Sequence, residues 1–432
     1  MEHLLDRETT SPLEGVPVIG IQAAPPSPDK PNVFHHGSFT QMALNHMYYE
    51  EFPNGFPVEN IRCYKTHAEV IAALGHGAIE MAVVPVDNTY SGRVKTAITA
   101  LSAARYEILQ EDTIAVDQHL LHVSEQVESD IEQVMSQRPA LDQAKSEIEA
   151  NGWDELANED TVMSAISVAE NSGIINGKKT AAIASNLAGS ANGLHVGRRL
   201  SKPGNATTFW RITADERHEI MENPNRIAFI FTVGNHPGAL YDIVAPITDM
   251  GCNFTDIDCH LARAEDTAIS FFAEIEVPEG RDAHETFNEI AINVFGRTRP
   301  GQYFTPMGVY RDTTDQNISD VVRFDSEHIP DAIDTNEWAR PGSDHSEGSQ
   351  VIYISAKNQH ASLKGMLGAF KDNNVNILDL SRPTTANGNG TRGFFFVLDQ
   401  ETDPTTALAA LEDANYNIKL YRYTEGELSL AI

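Results

Sequence analysis

The sequence predicts an α/β protein in two parts, a long segment of alternating strands and helices followed by two copies of a βαββαβ unit. Three observations predict it. Residues 81–86 form a continuous apolar run, the mark of a strand covered on both faces, and end at a polar turn. Strand-like and helix-like spacings alternate from about residue 16 to residue 213. Beyond an acidic linker at 214–225 the order β-α-β-β-α-β occurs twice, with a linker rich in Asp, Ser and Pro at 312–349 between the copies.

The elements follow from local signals. Residues 18–22 read as a short apolar strand before a Pro-rich loop. His36-Gly37-Ser38 leads into a helix with Met42, Ala43, Leu44 and Met47 at helical spacing and Ser38 as N-cap. Thr66-His67-Ala68-Glu69 has the form of a capping box and opens a helix that Gly75 and Gly77 stop. After the apolar strand, Asp87-Asn88-Thr89-Tyr90-Ser91-Gly92 is a turn, and Val94, Ala97, Ile98 and Leu101 predict a helix with Arg93 in its first turn. Strand ends of this kind are where doubly wound sheets bind ligands, and the N–H groups of a helix start suit a carboxylate. A cation there is disfavoured by the helix dipole, so Arg93 is either simply solvated or held there for a use of its charge.

A second alternating segment, 108–197, predicts strands at 113–116, 120–123, 131–135 and 180–183, and helices starting near Pro139, Thr161 and Ser185. Two such lobes imply a cleft between them. Ser136 stands at a strand-to-helix junction aimed at that cleft, with Gln143 in the following helix; on spacing alone Ser136 serves equally well as a cap. Gly204-Asn205 is a turn, and residues 209–212 alternate as an edge or half-buried strand would. Thr207 and Thr208 thus present two hydroxyls where a loop becomes a strand, a place where threonines are ordinarily plain β-formers.

The first βαββαβ copy reads as strand 226–233, helix 239–249, strands 253–261 and 269–277, helix 283–294 and strand 302–310. In the second the elements fall at 351–356, 363–370, 375–380, 393–398, 405–415 and 418–423, with Asn387-Gly388-Asn389-Gly390 as hairpin turn. Each copy is a ferredoxin-like unit.

Composition narrows the function. At 432 residues the chain is long enough for two or three domains, and 41% hydrophobic content excludes a disordered chain. Lys plus Arg number 31 against 62 Asp plus Glu, a formal net charge of −31. That field repels nucleic acid and anionic lipid, so neither is an expected partner. Cys63, Cys252 and Cys259 have no CxxC spacing, which fits a reducing compartment. With no basic start followed by an apolar core and no membrane-length apolar run, a cytoplasmic location is expected. No HExxH, clustered Cys/His set or phosphate-binding glycine loop occurs.

Five segments, His36-Gly37-Ser38-Phe39, Val84 to Gly92, Ser136 with Gln143, Ala181-Ala182-Ile183-Ala184-Ser185 and Asn205-Ala206-Thr207-Thr208-Phe209, stand in the order found in prephenate dehydratases. The run from about residue 16 to residue 310 resembles that family with its C-terminal ACT domain. The resemblance implies a two-lobed, periplasmic-binding-protein-like catalytic domain at 16–213, an ACT domain at 226–311 and an ACT-like domain at 350–424. It implies conversion of prephenate to phenylpyruvate with loss of water and carbon dioxide, without metal or cofactor, by a homodimer or homotetramer in phenylalanine biosynthesis. Thr207 then matches the family's catalytic threonine, and Asn88, Ser136 and Gln143 its polar cleft residues. Ser38, Thr89, Ser91, Arg93, Thr208 and Phe209 complete the expected substrate site. Prephenate is a dianion with a ring hydroxyl to lose, so donors for two carboxylates and one placed hydroxyl suit its chemistry.

This sequence departs from the family pattern at several points. Thr208 stands where the family has Arg, Asp87 replaces Glu, Phe34-His35 replaces Gly-Pro, and Gln137-Arg138 interrupts a Ser-His-Pro run. Arg93 or Arg138 is the candidate to restore the missing charge. The departures also leave room for a non-aromatising prephenate decarboxylase, for arogenate as substrate, and for an inactive amino-acid sensor. In related ACT domains a Gly-Ala-Leu turn and a strand ending in Glu-Ser-Arg-Pro hold a phenylalanine effector. Here the first copy keeps Gly238-Ala239-Leu240 and the second keeps Ser381-Arg382-Pro383. Two readings follow: one composite pocket made by the two copies side by side from Gly238 to Leu240 and Ser381 to Pro383, or a degenerate second copy kept as a spacer for dimerisation.

Overall fold

The computed structural model describes residues 11–23, 34–89, 92–102, 106–201, 204–214, 223–261, 268–296, 304–311, 350–357, 362–381, 391–399, 402–424 and 427–430. These fall into two compact units, one holding residues 11–214 and the other residues 223–311 with 350–430. No helix among the described residues is long and apolar enough to cross a membrane.

The first unit has two lobes, each built on its own sheet. In lobe one the order is Ile61–Tyr64, Ile19–Gln22, Met81–Asn88, Ala206–Thr213, Glu107–Ala115, with Gly92–Arg93 paired to the end of Met81–Asn88. The first three strands are parallel, and Ala206–Thr213 runs antiparallel to both of its neighbours. The apolar run at 81–86 thus becomes an interior strand, and Val83 and Val84 are completely buried. In lobe two the order is His195–Arg199, Gln118–His122, Lys178–Ser185, Gln133–Ser136, Asp154–Ala157. The chain crosses between lobes twice, from Glu107–Ala115 to Gln118–His122 and back from His195–Arg199 to Ala206–Thr213. The two crossings bond to each other, Val116 N donating to the Asn205 carbonyl at 2.8 Å and Leu200 N to the Gln118 carbonyl at 2.8 Å.

Two sequence expectations change here. Residues 206–213 form neither an edge nor a half-buried strand, because a neighbour pairs on each side and Phe209, Trp210 and Ile212 are all buried. Strand Glu107–Ala115, expected to open the second lobe, instead pairs with Ala206–Thr213 and completes the first sheet. In both cases the partner strand lies about a hundred residues away, beyond the reach of local periodicity.

The second unit contains two four-element antiparallel sheets of the same order. Asn253–Leu261, Ala268–Glu276, Arg226–Gly234 and Phe304–Tyr310 form one; Ile377–Ser381, Thr391–Leu398, Gln350–Lys357 and Asn417–Thr424 form the other, extended by Glu427–Leu430. Each has its two helices, Tyr241–Asp249 and Ala283–Ile290, then Ser362–Asp372 and Thr405–Asp413. This is the expected βαββαβ order in both copies. The hairpin turn at 387–390 lies outside the described residues. The copies lie side by side: Asn253–Leu261 runs next to Ile377–Ser381, and Tyr241–Asp249 packs on Ser362–Asp372. Ile227, Phe231 and Val244 of the first copy share a single apolar core with Ile352, Met366 and Phe396 of the second.

Candidate active site

The candidate site gathers at the junction of the lobes and the crossings. Thr207 pairs with Asn88 across the two central strands of lobe one, and Thr208 with Asp87; the register then slips by one residue before Phe209. Asn88, Asn205 and Thr207 are all buried. Nδ2 of Asn88 lies 2.9 Å from Thr207 Oγ1, 2.9 Å from the Ala206 carbonyl and 2.9 Å from Asn205 Oδ1. Asn205 Nδ2 donates in turn to Gln143 Oε1 at 2.8 Å, and lies 3.3 Å from the Val116 carbonyl. Gln143 ends the lobe-two helix Arg138–Gln143. A line of carboxamides therefore runs from lobe two, through the crossing, to the Thr207 hydroxyl.

Thr89 closes the turn from the other side. Its hydroxyl donates to the Gly204 carbonyl at 2.8 Å and accepts from Ala206 N at 3.0 Å. Those bonds fix the loop on which Asn205 sits.

A second meeting of the lobes involves two helix starts. Ser38 caps Phe39–Met47, its Oγ accepting from Gln41 N at 3.1 Å, while Gln41 Oε1 accepts from Gly37 N at 2.8 Å. Ser38-Phe39-Thr40-Gln41 has the sequence form of a capping box, with the Gln41 side chain taking the N–H of Gly37, one residue before the cap. Ser185 caps the helix Asn186–Ala191 in lobe two, and its hydroxyl donates to the Gly37 carbonyl at 2.6 Å. Gly37 has a φ of +112°, and a Cβ placed on it would come within 2.5 Å of Ala188 backbone atoms. Only glycine suits both the conformation and the approach.

Electrostatics link the same faces. Asp160, N-cap of Thr161–Glu170, has its carboxyl pushed up by burial, with the N–H groups of Met163 and Val162 and the charge of His35 acting the other way. Burial pushes the Cys63 thiol up to about 12, which makes it a poor nucleophile. Among the described residues no group of three or more His, Cys, Asp or Glu is gathered to hold a metal.

Several expected site residues sit differently. Arg93 is not in a helical first turn: it pairs with Asp87 in the short strand Gly92–Arg93, and the helix starts at Lys95. The turn folds back on its strand instead of feeding the helix directly. Ser136 is fully buried and donates to the Ile183 carbonyl at 2.6 Å, and Gln137 occupies the cap position. Phe209 belongs to the core of lobe one with Ala43 and Leu44. The Thr208 hydroxyl is 2.8 Å from that of Thr113. Arg138 is ion-paired with Asp142 and Glu155 on the surface, so its charge is already matched. Ser91 lies outside the described residues. Asn205, quoted in the motif but given no role there, turns out to connect the rest.

In the second unit, Gly238, Ala239 and Leu240 line a small open cleft. Its far wall comes from Leu367, Phe370, Lys371, Val375 and Asn376 of the second copy. A composite pocket between the copies was expected, but that wall lies upstream of Ser381; Arg382 and Pro383 lie outside the described residues. Lys371 sits 4.5 Å above the Tyr241 ring and pairs with Asp242 at 2.7 Å, and Asn376 Nδ2 donates to Asn235 at 2.9 Å.

Residues 35–217 match the family model described as prephenate dehydratase. Over 215 residues, 49% of this chain and 75% of the relative, the sequence is 27% identical to the bifunctional N-acyl-homoserine lactone acylase/prephenate dehydratase of Komagataeibacter europaeus. Over 224 residues, 51% of this chain and 60% of the relative, it is 25% identical to the bifunctional chorismate mutase/prephenate dehydratase of Aquifex aeolicus. The solved prephenate dehydratase of Arthrobacter aurescens in complex with L-Phe is similar in fold, with a TM-score of 0.55 at 16% identity over 68% of this chain and 89% of that one.

Proposed function

We propose that this protein, whose residues 35–217 match the prephenate dehydratase family model, converts prephenate to phenylpyruvate, with Thr207 as proton donor. The observation that carries the reading is the bond from Asn88 to Thr207 Oγ1. Accepting that N–H occupies a lone pair of the oxygen and leaves its own hydrogen for donation. In the reaction the ring carboxylate leaves as carbon dioxide, and its C–C electron pair enters the ring. The C–O bond to the ring hydroxyl breaks, that oxygen takes a proton from Thr207 and departs as water, and Thr207 regains its proton from solvent. The aromatic ring so formed supplies most of the driving force. Ser38 and Thr89 are the further candidates to touch the substrate.

The second unit is read as an ACT pair that binds phenylalanine in the pocket between its copies. Apolar walls from Leu240, Leu367 and Phe370 suit an aromatic side chain, and the turn at Gly238 to Leu240, which opens the helix Tyr241–Asp249, suits a carboxylate. A second catalytic reading, decarboxylation without aromatisation, is favoured by Thr208, whose hydroxyl meets Thr113 where the family places a cation. Acylase activity, named for one relative, gains no support from the Thr207 and Ser136 hydroxyls, which bond to an amide and a carbonyl.

Incubation with prephenate, followed by ultraviolet spectroscopy with and without phenylalanine, tests both parts. Phenylpyruvate should form, and phenylalanine should change its rate. Consumption of prephenate without phenylpyruvate would favour the decarboxylase, and no consumption would remove the catalytic reading.

A further inference from the structure

We infer that Gln143 and Asn205 are positioning residues for Thr207, forming a hydrogen-bonded relay that couples the placement of lobe two to the reacting hydroxyl, and that Gln143 does not bind the substrate. The inference rests on the dehydratase reading of the site and goes beyond it in giving Asn205 a role and Gln143 a different one.

The geometry is that of a chain with one link in each part of the unit. Gln143 Oε1 accepts from Asn205 Nδ2 at 2.8 Å. Asn205 Oδ1 accepts from Asn88 Nδ2 at 2.9 Å, and the same nitrogen reaches Thr207 Oγ1 at 2.9 Å. Gln143 stands on lobe two, Asn88 and Thr207 on the central strands of lobe one, and Asn205 on the crossing that joins them. Asn205 is 1% exposed, so water does not compete for its bonds. The Asn88 nitrogen has two hydrogens and three acceptors around it. How those hydrogens are shared depends on where Asn205 Oδ1 lies, and Gln143 and the Val116 carbonyl hold the other end of that side chain. A displacement of lobe two thus reaches Thr207 through three carboxamides, of which Gln143 and Asn205 act without touching substrate.

The relay requires only an acceptor at position 143, and this makes it separable from substrate binding. Gln143→Ala removes the acceptor; kcat for phenylpyruvate formation should fall about tenfold or more, with KM changed less than about threefold. Gln143→Glu keeps an acceptor for Asn205 and should recover most of kcat. A group in contact with dianionic prephenate would behave differently, since a glutamate there would repel the substrate. A KM raised about tenfold in Gln143→Glu, or an unchanged kcat in Gln143→Ala, would overturn the inference. Asn205→Ala should match Gln143→Ala in kcat, and the double variant should lose little more than either; losses that multiply would also overturn it. If Asn205→Ala fails to fold, the two Gln143 variants decide. If the wild-type protein forms no phenylpyruvate, the dehydratase reading falls separately. Amide hydrogen exchange of segments 88–89 and 206–207 then decides: faster exchange in Gln143→Ala supports the relay, and unchanged exchange removes it.

Discussion

The side-chain amide of Asn88 meets the hydroxyl of Thr207 at 2.9 Å, though 119 positions separate them in the chain. The bond joins the two central strands of lobe one where their register is about to slip. Replacement of Thr207 by valine keeps the side-chain shape and removes the hydroxyl. Asn88 keeps its two other acceptors, so stability should change by no more than about 1 kcal/mol. Phenylpyruvate formation should fall by about 10²–10⁴-fold, the usual worth of a placed proton donor. Thr207→Ser should retain much more, and comparison of kcat and melting temperature for the three proteins checks both statements.

Gly37→Ala tests a close approach of the two lobes. The new methyl would meet Ala188 backbone atoms, which cannot rotate away, at a φ of +112°. Urea unfolding should show a loss of about 1–3 kcal/mol, and prephenate KM should rise because the Gly37 carbonyl is pushed from the Ser185 hydroxyl.

The His46–Asp112 contact of 2.5 Å predicts a pH dependence. The hydrogen bond to Asp112 raises the His46 pKa, burial opposes it, and the carboxylate charge adds to the rise. A folded-state pKa above the unfolded value gives stability that is fully present below about 6.5 and is lost as pH climbs through the raised value. The melting-temperature gap between the wild type and His46→Gln should therefore be larger at about pH 6 than at about pH 8.5. An equal gap at both would contradict it.

Gly238→Ala addresses the pocket of the second unit. Gly238 has a φ of +82°, and an added Cβ would press on the Lys371 side chain of the other copy at 2.9 Å. Calorimetric titration with phenylalanine should show binding weakened about tenfold, roughly 1.4 kcal/mol. Binding unchanged by the substitution would place the effector elsewhere. Arg382→Ala tests the remaining half of the sequence expectation: phenylalanine inhibition that survives it would remove the strand-end contribution.

Local chemistry was the most legible part of the sequence. Ser38, Thr66 and Ser185 were readable as helix starts because a cap acts within three residues, and each accepts the expected backbone N–H. The repeated βαββαβ order was readable from periodicity alone. Strand 107–115 was not assignable to its sheet, because its partner is set by a return of the chain that no local pattern records. Ser136 looked like a cleft residue since it follows a strand; whether a strand-end hydroxyl faces the cleft or an adjacent carbonyl depends on the neighbouring strand. Arg93 was misplaced because a turn returning to its own strand and one entering a helix share the same residues. The part played by Asn205 depends on three partners from three regions of the chain, so only the assembled lobes display it.

The shared core of the second unit has a consequence for trimming the protein. Deleting everything after residue 349, or a protease nick followed by loss of the fragment, would strip the flank of the helix Tyr241–Asp249 that rests against its counterpart. The remnant would show water a greasy stripe and tend to clump. Variants with an altered pocket are thus better made by point substitutions than by shortening the chain.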